Sequence, residues 1–118
     1  MIEKSNSNKL VDTIVESIED LKGENIIILD LTEIDNAVSD YFVICSGNSN
    51  TQVSSIASKV EKNVRHTLKE RPLQTEGTQN AQWILIDYGN VVVHVFQKAI
   101  RDFYDLESMW GDAKLISA

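Results

Sequence analysis

The 118-residue sequence is poor in the residues that crosslink, kink or loosen a chain, with one cysteine, one proline and five glycines. A lone cysteine, Cys45, excludes an intramolecular disulfide and is typical of a reducing compartment. No apolar run approaches the roughly 18 residues that a membrane-spanning helix needs. The first residues also lack the apolar core of a signal peptide. We therefore expect a cytoplasmic protein that does not enter a membrane.

Positive charge is also scarce, because 11 Lys and Arg face 18 Asp and Glu, which gives a formal net charge of -7. A protein that binds nucleic acid needs clustered basic residues to displace the counterions of the phosphates. Here the basic residues are scattered, apart from a local group on one predicted helix at Lys59, Lys62 and Arg65. The composition therefore predicts little direct nucleic-acid binding, although that helix leaves a local patch open. The excess of negative charge favours a basic partner.

The hydrophobic pattern predicts seven elements in the order α-β-β-α-β-β-α. They are a helix over 10–21 ended by Gly23, strands Ile26–Leu31 and Tyr41–Cys45, a helix from the Ser49 capping box to just before Pro72, strands Trp83–Tyr88 and Val91–Phe96, and a helix that follows Phe96 and includes 101–111. Residues 1–8 are expected to be frayed, and Leu73–Gln82 is predicted to be a polar loop. This order predicts one α/β domain over 1–118, a mixed β-sheet with packed helices.

The last two predicted strands form a hairpin, because Gly89-Asn90 is a two-residue turn signal. This turn places Tyr88 opposite Val91 and makes one nearly aliphatic face that packs on the helices. The other face carries alternate residues of both strands, namely Trp83, Leu85, Asp87, Val92, His94 and Phe96. That second face is too apolar for open water and too polar for plain core, which points to a binding surface.

Several residues invite a chemical interpretation, but each has a plainer one. The carboxylates Asp30, Glu33, Asp35 and Asp40 suggest a metal cluster, yet a solvated acidic loop accounts for them and no ligand spacing supports a metal. Ser46-Gly47-Asn48-Ser49 suggests an anion cradle, yet a capped helix start is the better explanation.

The remaining reactive side chains give no catalytic site. Cys45 is expected to be buried as a small hydrophobe, and His66 to be solvated. A His94–Asp87 catalytic pair is imaginable, but neighbours that merely hydrogen-bond are commoner and no nucleophile is evident. We therefore predict no catalytic residue, no metal ligand and no cofactor.

An acidic and aromatic segment follows the hairpin. In the last predicted helix, Phe103, Leu106 and Trp110 recur at helical spacing and are expected in part to dock it on the sheet. Tyr and Trp are also favoured anchors of protein interfaces. Tyr104, with Asp105 and Glu107 beside it, is therefore a candidate contact for a basic protein.

Taken together, these residues resemble the Iojap-like ribosomal silencing factors over roughly 10–113. The resemblance is carried by Asp40-Tyr41-Phe42-Val43-Ile44, Ser46-Gly47, Gln52, Glu76-Gly77, the stretch from Trp83 to Gly89, the stretch from Val91 to Phe96, Arg101, Tyr104-Asp105-Leu106-Glu107 and Trp110-Gly111-Asp112-Ala113. It implies a fold related to nucleotidyltransferases without their activity, and Asp87 indeed lacks the second carboxylate that such enzymes place two residues away.

The resemblance further implies a repressor of translation that binds the large ribosomal subunit through ribosomal protein L-fourteen. By blocking subunit joining it would lower translation when nutrients are scarce, and free copies would often form homodimers. We predict the partner-binding residues to be Trp83, Leu85, Asp87, Tyr88, Val92, His94, Tyr104, Asp105 and Glu107. Two alternatives stay open: a nucleotide-processing enzyme that uses Asp30, Asp87 and the Ser46-Gly47 turn, and a homodimeric adaptor for another basic protein.

Overall fold

The computed structural model describes residues 6–37, 39–104 and 114–117, and of residues 6, 102–104 and 114–117 it describes the backbone alone. The elements in chain order are α1 (Asn6–Asp20), β1 (Glu24–Asp30), β2 (Tyr41–Gly47), α2 (Asn50–Leu68), β3 (Gln74–Glu76), β4 (Trp83–Asp87), β5 (Val91–Gln97), α3 (Lys98–Tyr104) and β6 (Lys114–Ser117). No helix in this described part of the chain is long and apolar enough to cross a membrane.

The strands form one sheet in the order β3-β4-β5-β2-β1-β6. Only β2 and β5 run parallel, and every other neighbouring pair is antiparallel. The predicted mixed α/β sheet is confirmed. In its centre β2 and β5 are buried along nearly their whole length, which explains their unbroken apolar sequences.

The ends of α2 follow from local side chains. Ser49 is the N-cap and accepts a hydrogen bond from the Gln52 amide at 3.1 Å, while the Gln52 side-chain oxygen accepts one from the Asn48 amide at 2.7 Å. The Gln52 side-chain nitrogen also donates to the Leu21 carbonyl at 3.3 Å, which ties α2 to the end of α1. At its other end α2 stops at Lys69, which adopts the left-handed conformation ahead of Pro72.

The sheet has an apolar layer on each side. Helices α1 and α2 cover one side with residues that recur at helical spacing: Leu10, Ile14 and Ile18 from α1, and Val53, Ile56, Val60 and Val64 from α2. On the other side a smaller cluster joins β1, β2 and β5: Leu29, Leu31, Phe42, Ile44, Val92 and Phe96. Ile34 and Ala37 of the loop after β1, and Ile100 of α3, pack against this second cluster.

Two strands were not predicted from the sequence. The stretch Leu73–Gln82 was predicted to be a polar loop, but it contains β3, which pairs with β4 through Thr75 opposite Ile86. Strand β6 pairs with β1 at the far edge of the sheet. Both are edge strands, whose backbone bonds to a neighbour need little apolar patterning.

The first helix begins earlier than predicted, whereas the last begins where it was predicted. Helix α1 already includes residues 6–8, which were expected to be frayed, because the Ser7 hydroxyl donates to Asp40 and accepts from the Asn90 side-chain amide, both at 2.8 Å. Helix α3 begins at Lys98, which agrees with the prediction that the chain becomes helical after Phe96. The predicted docking residues Leu106 and Trp110 lie outside the described residues.

Candidate functional site

Strands β4 and β5 carry the predicted surface, here called the hairpin face and defined by Trp83, Leu85, Asp87, Val92, His94 and Phe96. The predicted register is confirmed, since Ile84 pairs with Val95 and Ile86 with Val93. The hairpin face therefore joins Trp83 to Phe96, Leu85 to His94 and Asp87 to Val92. At the turn, Gly89 has φ +89° and its amide donates to Asp87 Oδ1 at 2.7 Å.

Burial divides the hairpin face into two halves. The β5 side chains Val92, His94 and Phe96 are at most 7% exposed, because β5 lies in the middle of the sheet beneath the second apolar layer. The β4 side chains Trp83, Leu85 and Asp87 are half-buried, since only the short strand β3 lies beyond β4. The exposed part is therefore a row along β4, here called the β4 row (Trp83, Leu85 and Asp87).

An aromatic cluster supports this row from behind. The Trp83 ring stacks on Phe96 with centroids 4.8 Å apart. The rings of His94 and Phe42 meet in a T-shaped arrangement with centroids 4.7 Å apart. A hydrogen bond of 3.1 Å from Trp83 Nε1 to His94 Nδ1 joins the two pairs. Because Trp83 is held by stacking and by a directed bond, its half-exposed indole is fixed in place before any partner arrives.

His94 is a neutral packing residue. Burial penalises the imidazolium ion and lowers the pKa of His94 to about 4, so the ring is uncharged at neutral pH. With Nδ1 accepting from Trp83, the remaining proton is on Nε2, which is buried and has no hydrogen-bond partner among the described residues. Asp87 bonds to its own turn instead. The structure thus shows no His94–Asp87 pair.

Tyr88 lies on the opposite side of the sheet from the hairpin face, together with the aliphatic residues of the hairpin. It belongs to the layer under α1 and α2 and is 7% exposed. Burial, and after it the negative charges of Glu61 and Glu70, raises the pKa of its hydroxyl. In the single chain Tyr88 therefore offers little surface to a partner that approaches the β4 row.

The other chemical candidates are either buried in the core, exposed to solvent or bonded to nearby groups. Cys45 is fully buried, as predicted, and burial raises the pKa of its thiol to about 12. His66 is exposed, as predicted. Asp30 accepts a hydrogen bond from the Thr32 amide at 2.9 Å, and Asp40 accepts one from Ser7. Among the residues that the structure describes, no group of three or more His, Cys, Asp or Glu is placed to hold a metal ion.

Three predicted contact residues are not described beyond their backbone. Tyr104 is the last residue of α3, and its side chain is outside the description, as are Asp105 and Glu107 entirely. The prediction also missed two residues that pack against the β5 half of the hairpin face, Phe42 and Ile100. The alternation of Phe42 and Ile44 along β2 was the available signal for the first of them.

Comparison with known proteins agrees with this architecture. A family model described as "Ribosomal silencing factor during starvation" matches residues 4–118. The protein named Ribosomal silencing factor RsfS from Bacillus subtilis is 40% identical over 113 residues, which cover 93% of this chain and 92% of that protein. A crystal structure of a protein from Chromobacterium violaceum superposes with a TM-score of 0.85 at 33% identity and covers 91% of this chain and 88% of its own.

A mouse protein shares a shorter region. It is named Mitochondrial assembly of ribosomal large subunit protein 1 and is 33% identical over 75 residues, which cover 61% of this chain and 32% of the mouse protein. These matches confirm the resemblance to the Iojap-like proteins. Because the family model spans nearly the whole chain, the chain belongs to the family of ribosomal silencing factors.

Proposed function

We propose that the protein binds the large ribosomal subunit through ribosomal protein L-fourteen and thereby keeps the two subunits apart when nutrients are scarce. Membership of the silencing-factor family supports a role at the ribosome. The name of the mouse relative supports the large subunit in particular. The net charge of -7 supports a basic ribosomal protein as the direct contact, because complementary charge speeds and orients association.

The observation that carries the proposal is the β4 row. Trp83, Leu85 and Asp87 alternate along one strand, about 7 Å apart, and so present an aromatic ring, an aliphatic group and a carboxylate in a straight line. The stacking of Trp83 on Phe96 and its bond to His94 keep the row rigid. A rigid aromatic anchor loses little entropy on binding, which is why such residues dominate interfaces.

The buried members of the predicted set have a supporting part in this proposal. Val92 and His94 support the β4 row from the neighbouring strand, and Tyr88, directly after β4, packs in the layer under the helices. Tyr104, Asp105 and Glu107 stay in the proposed contact, with the carboxylates meeting basic side chains.

The proposed mechanism is volume exclusion. The chain has a radius of gyration of 13.3 Å, so a copy seated on the subunit interface would hold the facing surfaces apart by its bulk. This action requires a long residence on the subunit and no chemical reaction. An interface near the standard size of roughly 1,600 Å² would supply that residence.

Two measurements test this proposal. The purified protein should pellet with isolated large subunits and remain in the supernatant with small subunits. In saturating excess it should also reduce the joining of mixed subunits in a sucrose gradient. Undiminished joining with the protein in saturating excess would refute the proposal.

Matched variants locate the contact. Leu85→Ser changes the β4 row, whereas Leu21→Ser changes a leucine of similar burial at the end of α1, on the other side of the sheet. Leu85→Ser should weaken pelleting at least about tenfold, in line with a loss of roughly 1.4 kcal/mol or more. Leu21→Ser should bind normally while both variants stay folded. Equal effects of the two substitutions would remove the β4 row from the site.

We also propose that free copies associate through the β4 row. Its half-exposed apolar side chains support this, because such surface favours self-association as well as partner binding. Subunit binding and self-association would then compete. Light scattering across a dilution series should show dimers that Leu85→Ser disrupts and that Leu21→Ser preserves.

A further inference from the structure

The basic residues are concentrated in one place on the folded chain. Five of the 11 lie between positions 59 and 71, where only two acidic residues, Glu61 and Glu70, occur. That short region therefore carries a formal charge of +3, while the rest of the chain carries six basic and sixteen acidic residues. The negative total hides a local positive surface on α2 and the turn that follows it.

Helical geometry turns these residues into a continuous surface. Lys62, Arg65 and Lys69 follow one another at spacings of three and four residues and are all exposed, so they form one stripe along the outer side of α2. The opposite side of α2 is buried against the sheet through Val53, Ile56, Val60 and Val64. We call the exposed set, with Lys59 and Arg71 at its flanks, the basic stripe.

Open depressions border the stripe, and Lys62 lines three of them. One of about 450 Å³ extends from Lys62 and Arg65 to Arg71. A second of about 350 Å³ reaches Lys59, and a third of about 520 Å³ reaches Lys69. Glu61 and Glu70 also line the first depression, beside Lys62, Arg65 and Arg71. All three are open depressions rather than closed pockets, which suits a long, charged backbone better than a small molecule.

Stabilisation of the helix does not account for the stripe. Cations in the last turn of a helix offset its dipole, and Arg65 and His66 occupy that turn. The dipole effect fades within one turn, so it gives no reason for Lys59 and Lys62 upstream. Glu61, the nearest acidic neighbour in sequence, accepts a hydrogen bond from the Thr75 hydroxyl at 3.4 Å.

We propose that the basic stripe binds the phosphate backbone of double-stranded RNA, as a second contact on the ribosomal subunit. This rests on the function proposed above. A row of guanidinium and ammonium groups is complementary to the phosphates of a nucleic-acid strand, because such groups replace the counterions along it. The stripe from Lys62 to Lys69 is about 10 Å long, which spans about three phosphates.

A helical duplex fits better than an unpaired strand. Single strands are held by aromatic side chains on which bases stack, and the stripe has none apart from the His66 ring at its edge. Backbone contacts without base contacts give binding that is independent of sequence. The stripe and the β4 row lie on opposite sides of the sheet, so both contacts can form at once.

Fluorescence anisotropy with a labelled RNA duplex of about 20 base pairs tests the inference on the full chain. With about three phosphate contacts, affinity should fall roughly 40-fold between about 50 and 200 mM salt. Lys62→Glu and Arg65→Glu should each lower affinity at least about tenfold at low salt and reduce the salt slope by about one. Thermal unfolding should be unchanged, since both side chains are exposed.

Lys98→Glu is the matched control. It makes the same change in net charge at an exposed lysine on α3, which packs on the other side of the sheet. At any one salt concentration it should lower affinity clearly less than either stripe variant, and by less than about twofold at 0.15 M salt, where charges more than about 8 Å away are screened. Equal losses in all three variants would mean that only total charge matters, and would overturn the proposal. So would a lack of duplex binding at low salt, or tighter binding to polyglutamate than to RNA.

The two proposals fail separately. Leu85→Ser should lose binding to large subunits and keep binding to the duplex. Lys62→Glu should weaken binding to the duplex more than binding to large subunits. If the protein binds the duplex but not the subunit, the basic stripe stands and the ribosomal contact through the β4 row falls. If it binds the subunit but no duplex, the stripe alone is wrong.

Discussion

The Trp83 indole donates its only N–H to Nδ1 of His94 at 3.1 Å, across the strand pair that carries the proposed contact row. One end of this bond is half-exposed and the other is buried. The bond therefore links the outer surface of the sheet to its interior. It decides both how Trp83 is presented and which nitrogen of His94 is protonated.

Removing the N–H donor of Trp83 should destabilise the fold even when an aromatic ring is kept at that position. In Trp83→Phe the stacking partner Phe96 remains in place, but His94 Nδ1 loses the hydrogen bond from Trp83 in a buried site. We expect the free energy of unfolding in urea to fall by about 1–3 kcal/mol. In a His94→Leu background the same substitution should cost much less, because no nitrogen is left unsatisfied. Equal costs in the two backgrounds would show that the bond contributes nothing.

The buried imidazole predicts how stability changes with pH. Burial lowers the folded-state pKa of His94 from the ordinary 6.5 to about 4, so between these values the unfolded chain binds the extra proton. The contribution is fully present above pH 6.5 and is lost as the pH falls towards 4. The loss should amount to about 3 kcal/mol by pH 4.

Urea unfolding at a series of pH values between 4 and 7 measures this loss, and NMR titration of the ring assigns it. His94→Leu should flatten the dependence in this range, whereas replacing the exposed His66 by Gln should leave it unchanged. A His94 ring that titrates in the folded protein near its ordinary pKa would contradict the prediction.

The hairpin could be predicted from sequence because its determinants are local. Gly89-Asn90 sets the turn, the turn sets the register, and alternation then assigns Trp83, Leu85 and Asp87 to one side. Strand β6 had no such signal. Its pairing with β1 brings together residues that are far apart in sequence. Four residues at a sheet edge are too few for an alternating hydrophobic pattern to predict a strand.

The degree of burial was the part of the site that sequence did not reveal. Alternation places His94 and Val92 beside Leu85 and Asp87, but it does not say what lies above them. The cover comes from the loop after β1, which is distant in sequence, and from Ile100 of α3, whose return onto the sheet the strand alternation does not show. Membership of a face is a local property, whereas exposure depends on tertiary packing.

Gly77 predicts a steric limit at the start of the hairpin. It follows β3 with φ +85°, and a Cβ placed there would approach the Trp83 carbonyl oxygen to 2.0 Å. Gly77→Ala must therefore move β3 away from β4 and should cost more than about 3 kcal/mol, beyond the strain of the dihedral alone. Thermal unfolding measures the cost.

Gly89→Ala is the matched control for that change. It imposes the same kind of dihedral strain at φ +89°, but the added Cβ would meet only the flexible Leu73 side chain at 3.3 Å. We expect a loss of about 1 kcal/mol, clearly smaller than that of Gly77→Ala. If the two losses are equal, the close approach to the Trp83 carbonyl has no energetic consequence.

Arg101 predicts how α3 is attached to the sheet. Its buried guanidinium donates from Nη1 to the Asn25 carbonyl at 2.6 Å and to the Ser46 hydroxyl at 2.9 Å, and so joins α3 to β1 and β2. Arg101→Lys keeps the charge but loses the planar fork, so a buried carbonyl or hydroxyl is left without its donor. The free energy of unfolding should fall by about 2 kcal/mol, and the α3 amides should exchange faster with solvent. Lys98→Gln, at an exposed position of the same helix, should change neither quantity. Unaltered amide exchange in Arg101→Lys would mean that apolar packing through Ile100 is enough to hold α3 in place.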